Sequence, residues 1–151
     1  MLELVTSDLD GRTAAAEAIA AHRVEHLRIG AERLALAAHW CDLHPAEEFD
    51  RRPKRPGGDG TPEVSEYAAD ELGCLLGVHW AAAWTLMADA VNLRHRHPRL
   101  WAMLMDGEMP DWVARKAARL VAARGAACRE GLFPSQKERC RANVLPLRIA
   151  R

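Results

Sequence analysis

The sequence predicts an all-α protein: a long N-terminal helix packed on a compact bundle of short helices, with a helix-turn-helix-like corner. Three observations lead there. Alanine is abundant while valine and isoleucine are sparse, which favours helix over strand. Apolar residues near the N-terminus recur at spacings of three and four, the period of one helix face. From Val64 to Arg124, short amphipathic stretches follow one another, separated by glycine and proline.

The first helix is expected from Thr13 to about Leu43. Ala20, Val24, Leu27, Ala31, Leu34, Ala38 and Cys41 form an a/d seam about three heptads long, with Gly30 as a weak point inside it. Such a seam needs a later helix of the same chain or a second copy to cover it. Residues 45–62 hold four prolines and three glycines around the basic run Arg51-Arg52-Pro53-Lys54-Arg55, and read as a flexible surface linker. A second helix is expected from Thr61 or Pro62 to Gly77, with Val64, Tyr67, Ala68, Leu72 and Leu75 on its apolar stripe. A third follows from about His79 to His95, placing Trp80, Trp84, Met87, Ala88 and Val91 on one face. Pro98 opens a fourth, carrying Leu100, Trp101 and Leu104. The fifth runs from Pro110 to about Arg124 and is expected to bury Trp112, Val113, Ala117, Leu120 and Val121. The chain thus divides into the long helix 1–44, the linker 45–62, a helical core 63–124 and a poorly ordered tail 125–151 with a weak helix over 136–142.

At 151 residues the chain buries ~70% of its unfolded surface, enough for a core without disulfides or metal. Its four cysteines are far apart and read as reduced thiols of a cytoplasmic protein. No apolar run reaches the length of a membrane span. The total charge is zero but uneven: residues 1–70 carry 8 basic and 14 acidic groups, net −6, and residues 71–151 carry 13 and 7, net +6. A basic half can face phosphate.

Two constellations suggest metal chemistry, both weakly. His22, Glu25 and His26 match the H-x-x-E-H pattern of inverted zinc peptidases, but no further ligand is evident. His39, Cys41 and His44 form a looser cluster whose first two members lie on different helix faces. No cofactor, metal site or catalytic residue is assigned.

Gly73, Gly77 and Val78 fit a helix-turn-helix corner. Gly73 allows a close helix crossing, Gly77 accepts positive φ, Val78 plugs the core, and Ala83 packs back. Sequence-specific DNA reading is not expected, because the following helix opens with His79, Trp80, three alanines and Trp84, residues suited to burial. Phosphate contact is a separate matter. Arg94, Arg96 and Arg99 cluster near the junction of the third and fourth helices, and Arg115, Lys116 and Arg119 lie along the fifth. These six are the candidate DNA phosphate-binding residues.

The order L-G-V, A-D-A-V-N-L, H-P-R-L-W-A-M-L-M-D-G-E-M and A-R-K-A-A-R-L-V over about 63–123 resembles the domain of unknown function 222. That family stands at the N-terminus of HNH-endonuclease proteins of high-GC bacteria. Met103–Met109 matches its turn and Ala114–Arg119 its following helix, while His97-Pro98 replaces the usual L-P. The nuclease chemistry does not carry over: Asn92 and Asn143, the only asparagines, lack the required histidine context. The resemblance implies a non-catalytic helical domain aiding nonspecific DNA engagement or assembly. The alternatives are a helical interaction or dimerisation module, pairing through the 20–41 seam, and a truncated remnant of a nuclease.

Overall fold

The computed structural model describes residues 11–47 and 52–129. The chain divides into two compact units, Met1–Ala118 and Arg119–Arg151. Among the described residues, five helices make the fold all-α: α1 (Arg12–Leu43), α2 (Ala68–Leu76), α3 (Trp80–Arg96), α4 (Pro98–Met105) and α5 (Asp111–Arg129). The first four, with the first two turns of α5, belong to the first unit. Arg119–Arg129 carry α5 into the second; the expected weak helix over 136–142 lies outside the described residues. Among the described residues, no single helix is long and apolar enough to cross a membrane.

The first unit is organised around α3, whose buried residues point in two directions. Leu86, Ala90 and Leu93 join Ala31, Leu34, Ala37 and Ala38 of α1, Leu104 of α4, and Ala114 and Ala118 of α5. Ala83, Met87 and Val91 join Cys41 of α1 and Ala68, Ala69 and Leu72 of α2. Leu34, Leu93 and Leu104 are fully buried; each contributes about 2 kcal/mol of transfer free energy. Only the C-terminal half of the α1 seam is used in this way. Ala31, Leu34, Ala38 and Cys41 are buried, whereas Ala20 and Val24 are exposed, and no residue from Arg12 to Ile29 is buried.

Gly30, read from sequence as a weak point, has a tertiary reason. A Cβ there would stand 3.2 Å from the side chain of Asp111, at the start of α5. The corner between α2 and α3 forms as expected, and the two axes meet at 107°. Gly77 adopts φ 64°, closing α2 in a left-handed C-cap. At Gly73 a Cβ would lie 3.0 Å from the Val78 carbonyl oxygen, so a side chain there would crowd the backbone of the turn. Ala83 packs back fully buried, but Val78 does not plug the core; it is 43% exposed.

Several expectations are corrected. The helix expected from Thr61 begins at Ala68 because the backbone before it is already committed. Val64 N–H donates to the Lys54 carbonyl, the Val64 carbonyl accepts from Lys54 N–H, and Ser65 N–H donates to the His44 carbonyl. The described part of the linker is held rather than flexible. Gly58 N–H donates to Asn92 Oδ1 of α3, and Pro56 and Thr61 are both buried. The aromatic faces are also displaced. Trp80 and Trp112 stand 49% and 59% exposed, while the alanines Ala83 and Ala114 take the buried positions. Tyr67, Leu75, Leu120 and Val121 are likewise exposed rather than buried.

Candidate functional site: an apolar groove between α1 and α2

Leu36 and Leu43 of α1 and Leu75 and Leu76 of α2 are exposed, yet they face one another across a groove of about 360 Å³. Ala37, Trp40, Leu72 and Leu86 also line it. Almost all of the lining surface is apolar, with Arg33 and His39 at the edge. Leu36 is 69% and Leu75 71% exposed, far more than a packing residue tolerates without a partner. Isolated exposed leucines are ordinary on a protein surface. A contiguous apolar patch with a polar rim instead marks a contact surface.

The groove is built rigidly. The Trp40 ring lies on the α2 side of α1, and its Nε1–H donates to the Ala68 carbonyl at 2.9 Å. The His44 ring stacks on Trp40 with centroids 3.9 Å apart, and its Nδ1 lies 2.9 Å from the Trp40 carbonyl oxygen. On the other ring nitrogen, Nε2 is 3.4 Å from Glu71 of α2. These contacts fix the separation of the groove walls. The far end is anchored by Arg33, which donates to Asp111 at 2.7 Å.

Ion pairs absorb part of the basic set predicted to meet phosphate. Arg94 makes two hydrogen bonds of 2.7 Å to the two carboxylate oxygens of Asp42, a forked pair across α3 and α1. That contact holds the Asp42 carboxyl below the usual carboxylate range. Arg115 donates to Asp89 at 2.6 Å and lies 3.7 Å from Asp111, and both carboxylates are buried. Arg96 donates to Asn92 Oδ1 at 3.2 Å, and its guanidinium lies against the Gly58 backbone, where a Cβ would collide with it. Arg99 and Lys116 are exposed. Arg119 belongs to the second unit and is exposed there. The six residues therefore do not form one surface: two are committed to buried or forked carboxylates, one to a loop, and two are open to solvent in the first unit.

The metal constellations do not assemble. Among the described residues no three histidine, cysteine, aspartate or glutamate side chains come together as a ligand set. Glu25 is held by Arg28 through hydrogen bonds of 2.6 and 2.9 Å. Cys41 is buried, and its thiol pKa is pushed up to about 11 by desolvation, with the neighbouring Asp42 adding to it. His39 points to Asp42 and His44 stacks on Trp40, so the three diverge.

Of the groove leucines, Leu72 and Leu75 lie on the apolar stripe expected for the second helix, whereas Leu36, Leu43 and Leu76 are not predicted from the sequence. One signal could have found Leu36 and Leu43: with Ile29 they recur at seven-residue spacing, a second apolar stripe beside the seam. Comparison of the chain with protein-family models, with curated proteins and with solved structures returns no match.

Proposed function

We propose that this protein is a non-catalytic helical interaction module whose working surface is the groove between α1 and α2. One observation carries this reading: Leu36, Leu43, Leu75 and Leu76 are exposed together around an apolar groove whose spacing is fixed by Trp40 and His44. A groove of that kind takes the apolar face of an amphipathic helix, with anchors at i, i+3, i+4 and i+7 filling it and charges left at the rim. The similarity to the domain of unknown function 222 is compatible with such a role, as an assembly element beside an effector module.

Nonspecific DNA engagement is the second reading, and the exposed Arg99 and Lys116 favour it. Arg94 and Arg115 count against it, since freeing them would break their carboxylate pairs.

Site-directed photo-crosslinking in producing cells tests the proposal. A photoreactive residue at Leu36 or Leu75 is expected to give protein adducts several-fold above one at Glu108, which is exposed on the α4–α5 turn. Equal yields at all three positions, or none, would sink it. Binding to a random duplex that weakens steeply with salt, loses about one unit of salt slope in each of Arg99→Ala and Lys116→Ala, and is indifferent to Leu75→Glu would move the assignment to DNA.

A further inference from the structure

We infer that the occupant of the groove is the same groove face of a second copy of this chain, so that the protein self-associates with its two α1 helices antiparallel. The inference rests on the interaction-module reading and names its partner. Three features of the face support it.

The first is shape. The face carries both a ridge and a furrow: Leu36 and Leu43 stand out from α1, and the groove lies between them and Leu75 and Leu76. A two-fold axis near Leu36 lays the α1 ridge of one copy along that of the other and brings the two grooves face to face, the same patch meeting itself as an isologous contact requires.

The second is spacing. Ile29, Leu36 and Leu43 are 51%, 69% and 61% exposed and repeat every seven residues on one side of α1. The stripe drifts only about 40° over two heptads, so a straight partner helix follows it throughout. With Leu36 at the axis, an antiparallel partner brings Leu36 to Leu36, and Ile29 of each copy to Leu43 of the other. No polar residue then enters the apolar centre.

The third is charge. Glu32 and Arg33 flank the stripe one turn before Leu36, and His39 and Trp40 one turn after it. Parallel helices in register would set the two Glu32 carboxylates on either side of the Leu36 seam, with the two Arg33 side chains on opposite outer flanks. The antiparallel arrangement instead sets Glu32 and Arg33 of each copy beside His39 and Trp40 of the other. The pinned Arg33 guanidinium can then cover an indole face, and Glu32 can meet an imidazole. This surface is distinct from the 20–41 seam expected to mediate pairing, because the buried half of that seam is already filled by the chain's own helices.

Sedimentation velocity of the full chain from roughly 1 to 100 µM is the primary test. The expected result is a mass rising to that of two chains. Leu36→Glu, which brings two carboxylates together at the axis, is expected to raise the dissociation constant on the order of 100-fold while leaving the helical circular dichroism unchanged. Leu75→Glu attacks the same contact from α2, and Leu36→Met should preserve it. A second measurement reads the orientation. Chains carrying Ile29→Cys and Leu43→Cys are mixed, with Cys74, Cys128 and Cys140 replaced by serine, and treated with a short bismaleimide. The mixed 29–43 adduct should dominate; predominance of 29–29 and 43–43 adducts would overturn the antiparallel arrangement. A wild-type chain that stays single across the concentration range overturns self-association. If Leu36 then still crosslinks in cells to a protein of another mass, the interaction-module reading stands without it. If Leu36 gives no adduct at all, both fall.

Discussion

His97 illustrates how much one side chain can set at a junction. It closes α3 and opens α4, and its Nε2 is buried with no hydrogen-bond partner among the described residues. Burial lowers its pKa, and the adjacent Arg96 charge lowers it further. The neutral ring is therefore favoured in the folded state. Above the ordinary histidine value of about 6.5 both states are neutral and the residue is silent. As pH falls below that value, the unfolded chain takes up a proton first, and stability is lost progressively through the lower folded value. Melting temperature is expected to fall between pH 7 and pH 5, and His97→Gln should remove part of that slope; an unchanged slope would show that other groups set it. At this scale the sequence was legible where the cause was local. Gly73 and Gly77 were read correctly because a tight corner needs a small residue and a left-handed one a few positions apart. The role of Gly30 was not legible, since the side chain that would crowd a larger residue there belongs to Asp111, 81 positions later.

Helices were easier to place than to orient. The number and order of the five agree with the sequence pattern, because glycine and proline punctuate the chain independently of packing. On α3 the expected inward face holds for Met87 and Val91, which are fully buried, and fails for Trp80; on α5 it fails for Trp112, because assigning the largest apolar residues to the core selects the two indoles. The interior instead takes Ala83, Ala90, Ala114 and Ala118, because helices that meet through alanine approach more closely and leave the indoles at the margin. The basic residues misled for a similar reason: Asp42 lies 52 positions from Arg94, and Asp89 lies 26 from Arg115, so neither partner is evident from the neighbouring sequence. The Arg115 pairing has an energetic consequence for how α5 docks. Arg115→Ala leaves Asp89, only 5% exposed, without its guanidinium. Chemical denaturation should register a loss on the order of 3 kcal/mol, and a loss below 1 kcal/mol would mean that water replaces the arginine at little cost.

For the whole molecule, self-association would tie stability to concentration. If two copies cover each other's grooves, the wild-type melting temperature should rise with protein concentration while that of Leu36→Glu stays flat; parallel behaviour of the two would contradict the coupling. The groove was the least legible feature in the sequence, because it is the product of two helices whose outward faces converge only after Trp40 and His44 have set their separation. The alanines between the helices carry a different lesson, about which mutations this protein can absorb. Where a leucine-filled interior is injured mainly by losing volume, sites such as Ala38, Ala83, Ala90 and Ala114 have almost no side chain to lose and no exposed surface into which a larger one could extend. A single added methyl group there must push two backbones apart, at a cost of about 1–3 kcal/mol. Sequence drift in this fold is therefore free to shrink its few large core residues only at a cost, and is almost forbidden to enlarge its small ones, so the alanines that look least informative in the sequence are the positions most tightly held.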